Sequence, residues 1–105
     1  MSNLTKENFE NMISNGMSLV DFWAEWCGYC RMLTPVIEEF QSKHGGEIKV
    51  IKINVDSERE LAGLYGVNTL PTLVVFKDGE EIDRKMGFQP IEVLEEMTDR
   101  PERNA

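Results

Sequence analysis

Cysteine and histidine are scarce in this 105-residue chain, which contains two cysteines and one histidine. Structural zinc sites and iron–sulfur clusters usually need four protein ligands, and Cys27, Cys30 and His44 fall short of that number. A metal site would therefore require a second chain, and we predict none. Because a domain of this length can bury a sufficient core, it does not need a disulfide in order to fold.

The chain has fewer basic than acidic residues and lacks long apolar runs. Eleven lysine and arginine residues oppose 19 aspartate and glutamate residues, for a formal net charge of −8 at pH 7. This balance argues against a nucleic-acid or anionic-membrane surface, because phosphate binding favours basic patches. No run of about 18 apolar residues is present, which excludes a transmembrane helix. The opening MSNLTKENFE lacks the basic and then apolar pattern of a signal peptide, so we expect a soluble, cytoplasmic protein.

The spacing of apolar residues predicts one α/β domain over residues 1–105, with a short disordered tail at about 100–105. The elements are expected in the order helix, strand, helix, strand, helix, strand, strand, helix. The helices are predicted over about residues 6–14, 27–43, 58–65 and 91–100, and the strands over about 18–24, 48–55, 72–76 and 81–86. Alternation of strands and helices predicts parallel pairing, and Asp78-Gly79 predicts a closing antiparallel hairpin. The sheet should therefore be mixed, with helices on both faces.

Both cysteines lie in the segment FWAEWCGYC, residues 22–30, which joins a predicted strand to a predicted helix. A structural disulfide between Cys27 and Cys30 would close a small ring that contributes only about 2 kcal/mol to stability. A redox dithiol fits the context better, because the first helical turn aims free N–H groups and the helix dipole at Cys27 and stabilises a thiolate there. Cys30, one turn further in, should be more buried, less ionised and placed to attack a mixed disulfide.

The motif WAEWCGYC, with Asp21 before it, and the later segment TLPTLVVFKDG resemble the thioredoxin family, whose pattern is Trp-Cys-Gly-Pro-Cys. The likeness runs from about residue 5 to about residue 98. It implies the thioredoxin fold, a mixed central sheet of four or five strands flanked by four helices. It also implies an enzyme, a thiol–disulfide oxidoreductase that reduces protein disulfides by reversible exchange at Cys27 and Cys30.

The resemblance also assigns roles to residues outside the dithiol. Asp21 matches a buried aspartate that trades protons with Cys30, and burial within LVDFWA should raise the pKa of its carboxyl. Lys52 matches a lysine near that aspartate. The alternatives are a purely structural carboxyl at Asp21 and an ordinary strand lysine at Lys52 that reaches solvent. The implied substrate-binding rim consists of Trp26, Gly28, Tyr29, Leu70, Pro71 and Gly87.

Within that rim, Pro71 is implied to follow a cis peptide bond, and the backbone of Leu70 is implied to hold the substrate chain. From the residues alone, Trp26 is equally an aromatic ring packed on its helix, and Gly87 a backbone turn. Trp23 is expected in the core.

Tyr29 departs from the family pattern, in which this position is proline. Tyrosine restores a backbone N–H at the helix start, and an extra donor near Cys27 should stabilise the thiolate and make the couple more oxidising. We therefore predict a reduction potential between about −270 mV, the value for thioredoxin, and about −180 mV, the value for protein disulfide isomerase. Two other interpretations of Tyr29 stay open. Its ring stacks on or restricts substrates, or the replacement of proline is a neutral change at the surface.

No bound cofactor or metal is expected, because the Cys27–Cys30 pair carries the electrons itself. The resemblance implies a thioredoxin reductase, dependent on NADPH or ferredoxin, as electron donor, disulfide-containing proteins as targets, and a monomer. Two alternatives stay open: a more oxidising disulfide oxidase or isomerase with the same dithiol, and a non-catalytic thioredoxin-fold binding module. An isomerase would rescue scrambled ribonuclease, and a binding module would hold its partner after loss of both thiols.

Overall fold

A computed structural model describes residues 4–99 of the chain. It contains the helices α1 (Lys6–Ile13), α2 (Gly28–His44), α3 (Arg59–Leu64) and α4 (Ile91–Thr98), and the strands β1 (Met17–Trp23), β2 (Ile48–Asn54), β3 (Thr72–Lys77) and β4 (Glu80–Met86). The predicted order of elements is confirmed, with end points that differ by one or two residues. The expected tail at 100–105 lies outside the described residues. Between residues 4 and 99, no helix is long and apolar enough to cross a membrane.

The four strands form one sheet in the order β2-β1-β3-β4. β1 pairs with β2 in parallel and with β3 in antiparallel orientation, and β3 pairs with β4 in antiparallel orientation. The expected mixed sheet and closing hairpin are therefore confirmed. The expectation that alternation of strands and helices gives parallel pairing holds for β1-α2-β2 and is wrong for β2-α3-β3.

Helix length explains why the chain returns in parallel through α2 and not through α3. A strand of seven residues, such as β1 or β2, spans about 23 Å. The 17 residues of α2 span about 25 Å, enough to carry the chain back to the starting end of the sheet. The six residues of α3 span only about 9 Å. The chain therefore enters β3 near the end of the sheet at which β2 finishes, and β3 runs in the opposite direction.

Helices cover both faces of the sheet, as expected. α1 and α3 pack on one face, in a core whose buried residues are Phe9, Ile13, Val20, Phe22, Ile51, Ile53, Leu61, Ala62, Val74 and Phe76. α2 and α4 pack on the other face, in a core whose buried residues are Met17, Leu19, Leu33, Ile37, Phe40, Ile48, Leu73, Val75, Leu94 and Met97. Successive residues of β1 point into opposite cores, which is why this strand is apolar along almost its whole length.

Charged residues line the two outer strands of the sheet. On β2, the ammonium of Lys49 donates a 2.7 Å hydrogen bond to the carbonyl of Met12 at the end of α1. On β4, the guanidinium of Arg84 forms two 2.8 Å hydrogen bonds with the carboxylate of Glu81. A β-bulge interrupts the register between β3 and β4. Both outer strands therefore carry charged side chains that bond to nearby groups.

We expect truncation of Phe9 to destabilise the protein strongly. Its side chain is fully buried, and its ring makes edge-on contacts with the rings of Tyr65 and Phe76 at centroid distances of 5.2 and 5.9 Å. Phe9→Ala should lower the free energy of unfolding by about 3–5 kcal/mol in urea denaturation. Met12→Ala, on the same helix but 38% exposed, is the matched control and should cost under about 1 kcal/mol. Equal losses for the two variants would contradict this packing.

Candidate active site

The two cysteines lie where β1 passes into α2. β1 ends at Trp23, and α2 begins at Gly28 with Cys27 as its N-cap residue. Both thiols are free of a disulfide in this structure. Cys27 is 7% exposed and Cys30 is 2% exposed. Cys30 is therefore the more buried thiol, as expected from its place one turn further into the helix.

The backbone of α2 points a hydrogen-bond donor at the sulfur of Cys27. The N–H of Cys30 donates to Cys27 Sγ at 3.2 Å, which satisfies one of the free N–H groups in the first turn of the helix. Hydrogen bonds of this kind are stronger when the acceptor is charged. The helix terminus thus presents a backbone donor and the positive end of the helix dipole to the sulfur of Cys27.

Burial holds the second thiol in its protonated form. Removal from water raises the pKa of Cys30 to about 12, and a hydrogen bond with the Cys27 thiol acts in the same direction. The backbone of Ala24 opposes this shift, and the negative charge of Asp21 adds to it. At neutral pH, Cys30 therefore keeps its proton, and it becomes a nucleophile only after another group removes that proton.

Asp21 lies in the middle of β1 and is 1% exposed. Its burial raises the pKa of the carboxyl to about 6, as expected in direction, and the positive charge of Lys52 acts in the opposite direction. Lys52 is the residue opposite Asp21 on β2, so the two side chains are neighbours on one face of the sheet. Within residues 4–99, Oδ1 of Asp21 accepts no hydrogen bond, which leaves it able to take up a proton.

A cis peptide bond joins Leu70 to Pro71, as the resemblance implied. The carbonyl of Pro71 accepts a 2.7 Å hydrogen bond from the N–H of Gly87. The φ angle of Gly87 is 86°, in the region that favours glycine. The half-buried side chain of Leu70 packs against the apolar cluster that contains both cysteines. The Leu70–Pro71 segment therefore lies beside the dithiol, with Gly87 attached to it.

Exposed residues surround the dithiol at the start of α2. Trp26 is 68% exposed and Tyr29 is 63% exposed, and Gly28 is exposed as well. The indole N–H of Trp26 donates to Oδ2 of Asp56 at 2.8 Å. This hydrogen bond ties the ring of Trp26 to the loop that follows β2, so the exposed ring has a fixed attachment.

The contact expected from Tyr29 is not formed. In the part of the chain that the structure describes, the sulfur of Cys27 accepts its hydrogen bond from the N–H of Cys30 and none from the N–H of Tyr29. An N-cap side chain reaches the N–H of the second or third helical residue, and here it reaches the third. The extra donor that Tyr29 supplies at the helix start therefore does not bond to the sulfur of Cys27 in this geometry.

Two residues of the site were not assigned to it from the sequence. Asp56 follows β2 directly, and groups that follow the carboxyl ends of neighbouring parallel strands meet at one edge of a sheet. That rule could have placed Asp56 near the loop after β1. Trp23, expected in the core, is half-buried instead, and its ring lies 4.7 Å from Lys52 Nζ. The contact between Trp23 and Lys52 depends on the register of β1 against β2, which the sequence alone did not give.

Together these groups have the parts needed for dithiol–disulfide exchange. The sulfur of Cys27 caps the N-terminus of α2, and the more buried thiol of Cys30 keeps its proton. The carboxyl of Asp21, with a pKa of about 6, interacts electrostatically with Cys30. Among residues 4–99, no group of three or more His, Cys, Asp or Glu side chains is arranged to hold a metal ion. The fold and the site define a thiol–disulfide oxidoreductase.

Comparison with known proteins gives the family. Residues 1–100 match the family model for thioredoxin. The chain is 46% identical to thioredoxin from Bacillus subtilis over 96 residues, which cover 91% of this chain and 92% of that protein. The chain therefore belongs to the thioredoxin family, and its function is dithiol–disulfide exchange at Cys27 and Cys30.

Solved structures show the same fold. A mutant thioredoxin from Halobacterium salinarum NRC-1 superposes with a TM-score of 0.80 at 37% identity, over 89% of this chain and 81% of that one. A chain from a structure concerning the thiol resolving mechanism of yeast mitochondrial 1-Cys peroxiredoxin via glutathione/thioredoxin systems superposes with a TM-score of 0.83 at 29% identity, over 95% and 92% of the two chains. The thioredoxin fold implied by the sequence is confirmed, and residues 4–99 contribute four strands to its sheet.

We expect Asp21→Asn to stabilise the protein at neutral pH. The pKa of Asp21 is raised from 3.8 to about 6 on folding, so the contribution of the carboxyl to stability is complete below pH 3.8 and is lost as the pH rises through about 6. At pH 7.5 the variant should be more stable than the parent by roughly 3 kcal/mol. The difference should vanish near pH 3.5 in urea denaturation across the pH range. Glu38→Gln, which removes an exposed carboxyl from α2, is the control, and the expectation fails if Asp21→Asn behaves like it.

Proposed function

We propose that the protein reduces disulfides in other proteins, with Cys27 as the nucleophile and Cys30 as the resolving thiol. The sulfur of Cys27 attacks one sulfur of the partner's disulfide, and the partner's other sulfur leaves as a thiolate. Cys30 then loses its proton and attacks Cys27 Sγ in the mixed disulfide, which frees the partner's second thiol. The partner's disulfide gains two electrons, and the dithiol of this protein becomes the Cys27–Cys30 disulfide.

Asp21 is the proposed acceptor for the proton of Cys30. A carboxyl with a pKa of about 6 is mostly ionised at pH 7, yet it is a stronger base than an ordinary aspartate. Such a group suits proton transfer near neutral pH. The Cys30 thiol, with a pKa of about 12, requires an acceptor of this kind. Lys52, opposite Asp21, is proposed to moderate the basicity of the carboxyl through its positive charge.

The exposed rim around Cys27 is proposed to bind the chain segment on either side of the partner's disulfide. Its residues are those at the start of α2 and those in the two segments beside the dithiol, namely Trp26, Gly28, Tyr29, Leu70, Pro71 and Gly87. The exposure of the two aromatic rings supports this role. So does the packing of Leu70 against the cluster that contains both cysteines.

The different surroundings of the two sulfurs are the observation that carries this proposal. Cys27 caps a helix and accepts a backbone hydrogen bond, whereas Cys30 is buried and holds its proton strongly. A structural disulfide or a pure binding surface requires neither this asymmetry nor a buried carboxyl beside it. A dithiol that attacks with one sulfur and resolves with the other requires both.

Electrons are proposed to reach the protein from a thioredoxin reductase, dependent on NADPH or ferredoxin, with no cofactor bound to this chain. Disulfide-containing proteins are the proposed targets, and the similar yeast structure, which concerns a peroxiredoxin and glutathione/thioredoxin systems, supports that class. The monomeric state, the single domain and the cytoplasmic location stay predictions from the sequence.

Insulin reduction with dithiothreitol as electron source tests the proposed function. The parent protein should accelerate precipitation of the insulin B chain, and Cys27→Ser should reduce the rate to that of dithiothreitol alone. Cys30→Ser should attack but not resolve, so when the reduced variant is freed of dithiothreitol and mixed with insulin, a mixed disulfide should accumulate on a non-reducing gel.

The alternatives give different outcomes in the same set of assays. Turnover by Cys27→Ser at the parent rate would overturn the proposal. Rescue of scrambled ribonuclease without net reduction would indicate an isomerase. Capture of a partner by the variant lacking both thiols would indicate a binding module.

The replacement of proline by Tyr29 predicts a small shift in reduction potential. The N–H of Tyr29 does not bond to the sulfur of Cys27, so it acts only as one more partial positive charge at the helix start, worth about 0.3–1 kcal/mol. Tyr29→Pro should therefore lower the potential by roughly 6–20 mV at equilibrium with glutathione. Tyr29→Ala keeps the N–H and removes the ring, so it is the matched control and should leave the potential near that of the parent. A rise in potential for Tyr29→Pro would contradict the argument.

A further inference from the structure

Asp21, Trp23 and Lys52 form a compact group on the face of the sheet that carries the dithiol. Asp21 and Trp23 are two residues apart on β1, so their side chains point to the same face. Lys52 lies opposite Asp21 on β2. Its ammonium stands over the indole ring of Trp23, 4.7 Å from the ring centroid, which is within the range of a cation–π interaction.

The indole of Trp23 contacts both the Lys52 ammonium and the apolar cluster that contains the two thiols. The side chain packs against the cluster formed by Ala24, Cys27 and Cys30, and the Lys52 ammonium lies over the ring. Within residues 4–99, the buried indole N–H has no hydrogen-bond partner. The ring therefore interacts with its polar neighbour through its π face, and a ring face attracts an ammonium by its negative quadrupole.

Lys52 is otherwise weakly held. Its side chain is exposed, and in the described part of the chain it takes part in none of the ion pairs, which join other residues. A lysine has a flexible stem of four carbons, and an exposed lysine samples many rotamers. The position of its charge near Asp21 therefore depends on the contact with the indole, because no direct ion pair with the carboxylate fixes it.

We propose that Trp23 is a positioning residue for dithiol exchange, whose indole holds the Lys52 ammonium beside Asp21 and thereby controls the pH at which Asp21 accepts the proton of Cys30. This inference rests on the proposed role of Asp21 as that acceptor. In the step concerned, the proton moves from Cys30 Sγ to a carboxylate oxygen of Asp21. The Cys30 thiolate forms a bond to Cys27 Sγ, and the partner's sulfur leaves with the electron pair of the broken bond.

The groups that face Asp21 are few. From β2, Lys52 contributes the positive charge that acts on the carboxyl, and from α2, the Cys30 thiol interacts with it electrostatically. β3 places Leu73 opposite Asp21, and α4 meets this core with the apolar side chains of Leu94 and Met97. Displacement of the Lys52 ammonium therefore removes the positive charge that opposes protonation of the carboxyl.

A thermodynamic cycle in the reduced protein tests the proposal. The measurement is the pH midpoint of the Asp21 carboxyl carbon resonance in ¹³C NMR, for Trp23→Leu, Lys52→Met and the double variant. Lys52→Met should raise the midpoint, because it removes a stabilising positive charge, by about half a pH unit or more. Trp23→Leu should also raise it in the presence of Lys52, by a smaller amount, and should cause no further rise in the Lys52→Met background.

The cycle has clear contrary outcomes. An equal shift from Trp23→Leu in both backgrounds would mean that the indole acts on Asp21 without Lys52, and an absent or downward shift in the presence of Lys52 would mean that it does not hold the ammonium. Either result overturns the proposal. If Trp23→Leu does not fold, Trp23→Phe keeps an aromatic ring with a weaker attraction for cations and should give a smaller upward shift that again disappears in the Lys52→Met background.

Kinetics separates this inference from the proposed function. In the parent, the rate at which Cys30 releases a trapped partner should follow the ionisation of Asp21, and the Trp23 variants should move that pH profile with the NMR midpoint. If Asp21→Asn leaves the profile unchanged, the proposed role of Asp21 as proton acceptor fails. The NMR cycle still decides whether Trp23 holds Lys52 beside the carboxyl, because it does not depend on turnover.

Discussion

The central place of β1 in the sheet is the constraint on which the rest of the structure depends. β2 and β3 satisfy its backbone on both sides, and the two apolar cores cover its two faces. The end of this strand is therefore fixed in position, and α2 begins only a few residues later. The position of the Cys27 sulfur is fixed as well, because β1 before it and α2 after it are both packed against the apolar cores of the sheet.

The same strand places a carboxyl where water does not reach. Burial of Asp21 raises its pKa to about 6 and destabilises the folded chain at neutral pH. The same burial leaves this carboxyl close to the Cys30 thiol, which resists ionisation. A residue retained for stability alone would be apolar at this point of β1, as its neighbours Val20 and Phe22 are. The departure from a uniform core thus coincides with the site of the chemistry.

The order of elements could be predicted from the sequence because it depends on local periodicity. Leu33, Ile37 and Phe40 recur at helical spacing and are buried on one face of α2. The direction of β3 could not be read in this way, because it depends on the distance that α3 spans and not on which of its residues are apolar. The apolar pattern of a helix and of the strand after it is the same whether that strand runs parallel or antiparallel to the strand before the helix.

Some features of the candidate site could likewise be predicted from the sequence, and others depend on how the strands pair. Cys27 and Cys30 could be identified from their spacing at the start of a predicted helix. The cis bond before Pro71 was implied by the family resemblance, since the residues alone favour the trans form. The bond from Trp26 to Asp56 and the contact between Trp23 and Lys52 join residues about 30 positions apart. Such contacts require the register of β1 against β2, which single residues do not specify.

The polar outer strands have a consequence for how this protein meets other chains. An open sheet edge offers unpaired N–H and C=O groups to any extended chain, and lysines, charge pairs and bulges are the features that discourage such strand addition. β2 carries Lys49, and β4 carries the Arg84–Glu81 pair next to a bulge. Strand addition along either flank of the sheet is thereby discouraged, so these edges offer no ready template to another extended chain.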